Sequence, residues 1–465
     1  MKKSVRLIIF AAVIVLLLGA YGLIKTKPFR KTDSGKSTET AQIKLSSAEK
    51  DNIVSMTLSQ GDKTVKFEKK DTGWKLAYPE LDKIDNEKIG DIADAFSDLR
   101  AERVIEESPS DLDQYGLGSN RAQAEAELKD GSKIIIFIGD KTPTGFSFYA
   151  QTEGDKKVYT ISSYNGSRLM PALDTIRVTE IGKIDKQKLE YFKLIKTGAR
   201  TIELVPKKPD LELPGTQFSA LVMIKPYKRP RGIDAQAFGE LSETIPSAFN
   251  VNEFVDDNPK DLSIYGLDNP KYQLFLRDAD NSFQLLIGAA KDDDNYFVKL
   301  PDENRVYTMS AYSLKLLEAA PFKVTDKFAL LVNIDDVDRL EIKRTDKIYT
   351  AEIHRTKKKN EQGEEETEAA YTLNGKTVEE QPFKEFYQKV IGFLVDAENP
   401  NPEKKGKTEI TIRFFLNTPW KTAEMELIPY DRDFYAVQYS DGSREFLLSR
   451  YQVENMLKSL EALTQ

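Results

Sequence analysis

A seven-residue phrase that recurs along the chain constrains the fold more than any other feature of the sequence. The phrase Asp111–Leu117 (DLDQYGL) returns as Asp261–Leu267 (DLSIYGL), 150 residues later. Two shorter phrases keep nearly this spacing: Ile138-Gly139 returns as Ile287-Gly288, and Val158–Thr160 returns as Val306–Thr308. Near-constant offsets over roughly 50 residues indicate that one supersecondary unit has been duplicated.

The C-terminal part of the sequence contains a third, divergent copy. Each copy ends in a strand-like run, then Ser-x-Tyr, then spaced apolar residues; the pairs are Ser162 and Tyr164, Ser310 and Tyr312, and Ser449 and Tyr451. We interpret each serine as a helix N-cap and each tyrosine as a packing residue, because capping is a common use of serine at such a position. A catalytic serine is the disfavoured alternative. The third copy has Asn399-Pro400-Asn401-Pro402 in place of the seven-residue phrase.

The segments between these phrases predict an α+β fold. Each copy opens with a partly alternating strand-like run and continues into a helix with apolar residues on one face. The third helix is entered through Thr377–Glu380, which matches a capping box. We predict an N-terminal transmembrane helix followed by three tandem, structurally similar α+β repeat units of antiparallel strands and short helices. Their predicted bounds are 49–185, 186–330 and, for the divergent unit, 331–465.

The N-terminus contains the one membrane signal of the sequence. Leu7–Ile24 has no charged residue and is long enough to cross a bilayer. We predict a cytoplasmic tail at residues 1–6, a transmembrane anchor at 7–24 and a flexible tether at 25–48. A signal peptide cleaved near Ala20-Tyr21-Gly22 is the alternative. Three basic residues precede the run and four follow it closely, so charge alone leaves the orientation undecided.

Composition excludes several kinds of function. The 465 residues include no cysteine, which excludes disulfides, cysteine nucleophiles and thiolate metal sites. A net charge of −7 argues against nucleic acid as a partner. One basic cluster, formed by Lys225, Lys228, Arg229 and Arg231, is broken by prolines. We predict that it is a solvated loop, with a phosphate or headgroup contact as the alternative.

The sequence offers no catalytic constellation. His354 is the single histidine, and no phosphate-binding loop, nucleophile elbow or zinc motif is present. We therefore predict no catalytic, cofactor-binding or metal-binding residue and no cofactor. Asp292–Asn295 is predicted to be a polar hairpin turn, with calcium binding as the alternative. The charged run Arg355–Glu368 is predicted to be a solvated hairpin loop.

The repeated motifs resemble those of the bacterial domain-of-unknown-function family 4340. The resemblance rests on Tyr115-Gly116-Leu117, Tyr265–Pro270, Ile138-Gly139, Phe148–Ala150 and Ile176-Arg177, and it covers roughly residues 50–330 well. It implies one N-terminal membrane anchor with the repeats outside the cytoplasm. It also implies an association with ABC transporters of the gliding-motility-auxiliary type.

From these observations we expect a non-enzymatic, membrane-anchored extracytoplasmic accessory or scaffold protein of an ABC transport complex. The expected location is the bacterial cell membrane, crossed once. The expected partners are membrane lipid, through the N-terminal helix, and ABC transporter subunits or other envelope proteins. A cell-envelope module that binds a glycan or peptide is the alternative, and a carboxylate-dependent hydrolase is a third hypothesis. The ligand, the oligomeric state and the packing of the three units stay open.

Overall fold

The computed structural model describes residues 43–81, 83–216, 218–359 and 365–464. Two compact units emerge from the contacts along the chain. One runs up to Val178, and the other from Thr179 onwards.

The first unit is built on one eight-stranded antiparallel sheet with the order β3-β2-β1-β5-β6-β7-β8-β4. Its strands are β1 (Ile53–Gln60), β2 (Lys63–Lys70), β3 (Gly73–Tyr78), β4 (Arg103–Glu106), β5 (Ala122–Leu128), β6 (Lys133–Lys141), β7 (Ser147–Thr152) and β8 (Val158–Ser162). Helix α1 (Asn86–Ser97) follows β3, and the short helix α2 (Ser163–Arg168) follows β8.

The second unit contains two nine-stranded antiparallel sheets and a small two-stranded one. The two-stranded sheet pairs β9 (Glu180–Lys183) with β14 (Ala248–Asn250). The second large sheet consists of β10 (Tyr191–Lys196), β11 (Ile202–Pro206), β12 (Leu221–Lys225), β13 (Arg231–Gly232), β15 (Glu253–Asp256), β16 (Tyr272–Arg277), β17 (Ser282–Ala290), β18 (Asn295–Lys299) and β19 (Val306–Ser310). Its helices are α3 (Ala235–Glu243) and α4 (Pro321–Val324).

The third large sheet lies in the same compact unit as the second. Its strands are β20 (Val337–Arg344), β21 (Ile348–Lys359), β22 (Glu365–Leu373), β23 (Lys376–Val378), β24 (Ala397–Glu398), β25 (Ile410–Leu416), β26 (Thr422–Pro429), β27 (Phe434–Tyr439) and β28 (Phe446–Ser449). Its helices are α5 (Glu380–Ile391) and α6 (Arg450–Ala462).

One connectivity is common to the three large sheets. A meander opens each sheet, with three strands in the first sheet (β1–β3) and four in the second (β10–β13) and third (β20–β23). Its first strand (β1, β10 or β20) pairs with the first strand of a second, four-stranded meander. A short strand after the helix (β4, β15 or β24) crosses to the far edge of the sheet and pairs with β8, β19 or β28. The three sheets occupy residues 53–162, 191–310 and 337–449. The boundaries predicted from the sequence, 49–185, 186–330 and 331–465, stay predictions.

Each principal helix buries its apolar stripe, as helix α1 illustrates. The Asp85 carboxylate accepts hydrogen bonds from the amides of Glu87 and Lys88 and so caps the first turn. Ile89 and Phe96 are completely buried within the core of the first unit. Burying a side chain of this size contributes roughly 1.5–3 kcal/mol, so the stripe rather than helix propensity holds the helix in place.

The predicted fold class is wrong in its balance of elements. Strands account for 42% of the structure and helices for 21%, so the chain is mostly antiparallel β and not α+β. Only the first strand of each opening meander was predicted from the sequence, and later strands such as β2 were not. Lys63–Lys70 buries only Val65 and Phe67, and its exposed residues are lysine and glutamate. With so few apolar residues, the alternation typical of a strand is difficult to recognise in the sequence.

The structure describes the chain from Ile43 onwards. The predicted tail (1–6), the predicted transmembrane anchor (7–24) and most of the predicted tether (25–48) therefore lie outside the described residues. Among the residues that the structure does describe, no helix has both the length and the apolar character needed to cross a bilayer.

Two local predictions in the third copy are also wrong. The capping box at Thr377–Glu380 does not form, because Thr377 lies in β23 and Glu379 is an N-cap without a side-chain hydrogen bond. Most of the charged run Arg355–Glu368 forms paired strands, with Thr356 opposite Glu368 and Lys357 opposite Thr367. The Lys358 ammonium forms an ion pair with the Glu368 carboxylate of the neighbouring strand, and such pairing of unlike charges favours a ladder over the predicted loop.

Candidate functional site

The repeated phrase forms a turn that packs against the outer face of its sheet. Asp111 accepts the amide of Asp113, and Leu112 accepts the amide of Leu117, which closes the turn around Gly116. Leu117 is fully buried there in a small cluster with Phe137 and Val158. In the second sheet the same bonds join Asp261 to Ser263 and Leu262 to Leu267. The phrase is therefore a structural element of the sheet.

The two repeated motifs, Tyr-Gly-Leu and Ile-Gly, are the two sides of one contact. Gly116 has a φ of +66°, and a Cβ atom on Gly139 would lie 2.1 Å from the carbonyl oxygen of Tyr115. In the second sheet a Cβ atom on Gly288 would lie 2.2 Å from the carbonyl oxygen of Tyr265. Only glycine permits this approach of turn to strand, which explains why both motifs recur at the same offset.

The tyrosine of the phrase fastens the turn to the edge of the sheet. The Tyr115 hydroxyl donates to the Glu106 carboxylate at 2.6 Å, and the Tyr265 hydroxyl donates to Asp256 at 3.1 Å. The hydrogen bond to Glu106 and partial burial raise the pKa of Tyr115 above its ordinary value. Both acids lie on the edge strands β4 and β15, so the turn links the middle of the sheet to its far edge.

The third sheet also has a close contact between a loop and a strand, but its glycine lies in the loop and not on the strand. The strand pairing shows that Ile428, the residue after Leu427, is equivalent to Gly139 in the first sheet and Gly288 in the second. Gly406 of the preceding loop lies against this isoleucine, because a Cβ atom on Gly406 would be 2.5 Å from the Ile428 side chain. The loss of the phrase in the third copy is therefore compensated by a local exchange of a small and a large residue.

The predicted helix-capping role of the serines in the Ser-x-Tyr motif is confirmed at Ser162 and wrong at Ser449. Ser162 caps α2 by accepting the Asn165 amide, and the Ser310 hydroxyl accepts the Tyr312 amide. Ser449 makes no such cap bond to α6. The Ser449 hydroxyl accepts the side-chain amide of Gln452 at 3.1 Å.

The tyrosines of this motif are exposed, which corrects their interpretation as packing residues. The exposed fractions are 65% for Tyr164, 74% for Tyr312 and 72% for Tyr451. Each begins the segment after the last strand of its sheet. A cation covers two of the rings: the Arg168 guanidinium is 3.8 Å from the Tyr164 centroid, and the Lys315 ammonium is 4.3 Å from the Tyr312 centroid.

The basic cluster is buried in part, so its prediction as a solvated loop is wrong. Arg229 and Arg231 are 9% and 6% exposed. Arg231 donates to the Tyr439 hydroxyl at 3.1 Å and to the carbonyl of Phe328 at 2.7 Å, and its guanidinium lies 4.8 Å from the Phe446 ring. Burial lowers the pKa of Arg229, although the nearby Tyr439 and Asp441 oppose this shift.

The segment 227–231 joins the second sheet to the third, and we call it the joint. The Tyr227 hydroxyl donates to Glu398 at 2.5 Å, and Arg200 donates to the same carboxylate at 2.6 Å. The Lys228 amide donates to Glu445 at 2.7 Å, and burial raises the pKa of that carboxyl group. The Tyr227 hydroxyl and the Arg231 guanidinium are therefore engaged in contacts inside the protein.

The remaining polar candidates make local contacts. Asp292 accepts the Asp294 amide and the Asn295 side-chain amide, both at 2.9 Å, which is the geometry of a polar turn. Within residues 43–464, apart from the gaps in the description, no group of three or more acids or histidines could hold a metal ion. His354 is exposed on β21, with its Nε2 atom 3.7 Å from the Glu352 carboxylate.

One groove lies on the second sheet and has a volume of about 500 Å³. It forms where β10 begins, β16 ends and β17 begins, beside the loop between β18 and β19. Tyr191 pairs with Arg277 across the strands, and the guanidinium lies 5.4 Å from the Tyr191 ring. Burial, helped by a 2.8 Å hydrogen bond to Glu203, raises the pKa of Tyr191 to about 12. We call this cavity the sheet-two groove. It was not predicted from the sequence, because its residues come from four separate segments of the chain.

A second groove of about 430 Å³ runs along α5. It is lined mainly by apolar residues, among them Leu331, Val332 and Ile391. Tyr387 forms part of its wall and donates to the carbonyl of Val332 at 2.9 Å.

Comparison with known proteins gives one match. Residues 74–270 and 247–397 match the family profile of a domain of unknown function, DUF4340. No curated protein and no solved structure matches the chain.

Proposed function

This chain belongs to the DUF4340 family, and from that premise we propose that it is a non-catalytic scaffold or accessory protein of a protein complex. The observation that supports this proposal most is the repeated exposed tyrosine. Tyr164, Tyr312 and Tyr451 occupy the same position in three sheets of one connectivity, and each is at least 65% exposed.

Exposed tyrosines at equivalent positions fit a role in binding better than a role in stability. A ring that exposes about two thirds of its surface contributes little to a core. Tyrosine is enriched at protein interfaces, because it offers a large apolar surface and a polar tip at a small cost in side-chain entropy. Three copies of the position would let one chain hold a partner at several points, and multivalent contact raises the overall affinity without tighter single contacts.

We further propose that the complex lies in the bacterial cell envelope and contains ABC transporter subunits. The uncharged run Leu7–Ile24 supports membrane localisation, although it lies outside the described residues. The proposed partner rests on the resemblance to the family alone.

Co-purification tests the proposal. The full chain is isolated from its native membrane fraction in mild detergent, and the proteins that accompany it are identified by mass spectrometry. We expect ABC transporter subunits with the wild type and a loss of these subunits with the triple variant Tyr164→Ala, Tyr312→Ala and Tyr451→Ala.

A matched triple variant, Tyr78→Ala, Ile264→Ala and Ile348→Ala, removes apolar residues that are 53–66% exposed at unrelated positions. It should retain the partners. Retention of the partners by the tyrosine variant, or purification of the wild type alone, would contradict the proposal.

A further inference from the structure

We propose that the sheet-two groove is a binding site for an oligosaccharide. This inference does not depend on the proposed scaffold function. A volume of about 500 Å³ lies within the range of roughly 300–1,000 Å³ that is typical of ligand sites.

The lining of the groove includes two aromatic rings on neighbouring strands. Tyr191 on β10 and Phe275 on β16 lie on the face of the sheet opposite to the buried Phe192 and Leu276. The hydrogen bond to Glu203 fixes the Tyr191 ring, and the Lys193 ammonium lies 5.8 Å from the Phe275 centroid. A pyranose ring presents C–H groups of partial positive charge on one face, and these complement the negative face of an aromatic ring.

The rim of the groove supplies hydrogen-bonding groups of both kinds. Arg277 donates, Asp302 accepts, and Gln284 and Ser282 can do both. In the described part of the chain, no hydrogen bond or ion pair occupies the side chain of Arg277, Gln284 or Asp302. Sugar hydroxyls also donate and accept, so they can satisfy such a mixed rim, whereas an unpaired polar group would lose binding energy.

Other ligand classes fit less well. An apolar ligand would leave Arg277, Gln284 and Asp302 without partners when it displaced their water. The carboxylates of Asp302 and Glu303 would repel a phosphate or nucleic acid backbone. A peptide cannot add a strand here, because β10, β16 and β17 are each paired on both sides.

The arrangement is particular to the second sheet. In the first sheet, the residues that correspond to Tyr191 and Arg277 are Ser55 and Glu127, which hydrogen-bond to each other at 3.2 Å. In the third sheet they are Arg339 and Phe415, with the guanidinium 3.8 Å from the ring. The third sheet therefore has a cation and an aromatic ring in exchanged positions, which provides a matched control.

Isothermal titration calorimetry on the full-length chain tests the inference, with chitotetraose and cellotetraose as probes. We expect saturable binding of at least one probe by the wild type. Phe275→Ala and Arg277→Gln should each weaken that binding about tenfold or more, because each removes one part of the recognition. The control Phe415→Ala should change it less than about twofold.

Arg277 is exposed, so Arg277→Gln tests recognition without disturbing the core, and far-UV circular dichroism verifies that each variant is folded. Three results would overturn the proposal: no saturable binding of either probe by the wild type, wild-type binding by both groove variants, or an equal loss in Phe415→Ala. None of them bears on the co-purification of transporter subunits, so this inference and the scaffold proposal can fail separately.

Discussion

At the residue scale, glycine marks the places where a turn meets a strand without space for a side chain. Gly139 packs against the carbonyl oxygen of Tyr115, and Gly288 packs against that of Tyr265. The third sheet shows that the small residue can be on either side, because Gly406 faces Ile428 there. What recurs among the sheets is the close contact of turn and strand, and the repeated phrase is one way to form it.

Substitution of Gly139 provides the test at this scale. Gly139→Ala should destabilise the first unit by about 3 kcal/mol, since the added Cβ would meet backbone atoms that can move only if the turn shifts. Gly90→Ala, in the interior of α1, should stabilise the same unit by about 0.5–1 kcal/mol, because its Cβ would meet nothing closer than the Lys50 Nζ atom at 3.8 Å. Urea unfolding measures both changes. Equal stability of Gly139→Ala and wild type would refute the tight contact.

At the element scale, the joint shows how a short segment determines the arrangement of two sheets. Its prolines and cations make it similar to a surface loop when the sequence is considered alone. Arg231 nevertheless bonds the carbonyls of Asp326 and Phe328 and the Tyr439 hydroxyl. Buried charges are tolerated only when such partners satisfy them, so the joint requires the third sheet to be in place.

Removal of the Arg231 guanidinium should open the joint. Arg231→Met keeps the aliphatic bulk but leaves the carbonyls of Asp326 and Phe328 without their donor, and we expect a loss of about 3 kcal/mol. Hydrogen exchange should show faster exchange in residues 326–329 and in β27. Arg432→Ala, at an exposed position of the third sheet, should leave exchange unchanged. Protection in Arg231→Met equal to that of the wild type would mean that packing alone holds the joint.

At the scale of the whole molecule, one sheet connectivity is used three times in two compact units. The first sheet belongs to the unit up to Val178, and the second and third sheets share the unit from Thr179 onwards. One hydrophobic core runs through the residues of both sheets in the second unit, from Ile184 to Leu460. The compact unit therefore differs from the unit of duplication.

Three fragments test this difference. Residues 43–178 and residues 179–465 should each fold with a cooperative thermal transition, because each has its own core. Residues 179–330 alone should be much less stable or aggregate, since Arg229, Arg231 and the apolar surface of the second sheet would lose their partners. Circular dichroism melting of the purified fragments measures this. A stable, cooperative 179–330 fragment would show that each sheet is an independent folding unit.

The sequence pattern was sufficient for the duplication, the opening strand of each copy and the principal helices. The apolar stripe of α1, which contains Ile89 and Phe96, packs into the core. These features depend on residues that are close in the chain, where side-chain spacing follows directly from helix and strand geometry. The later strands of the opening meanders were not predicted. As β2 illustrates, such a strand buries few residues, and its exposed face is rich in lysine.

The sequence by itself determined that a unit was repeated, which segments are amphipathic, and that cysteine chemistry is excluded. Only the tertiary structure decided that Arg229 and Arg231 are buried, that Tyr164, Tyr312 and Tyr451 are exposed, and that Tyr191, Arg277 and Asp302 line one groove. The physical reason is that burial depends on what the rest of the chain places against a residue. That contact partner is often 100 or more positions away in the sequence, as Tyr439 is from Arg231. The local sequence pattern around a residue therefore does not identify its partner.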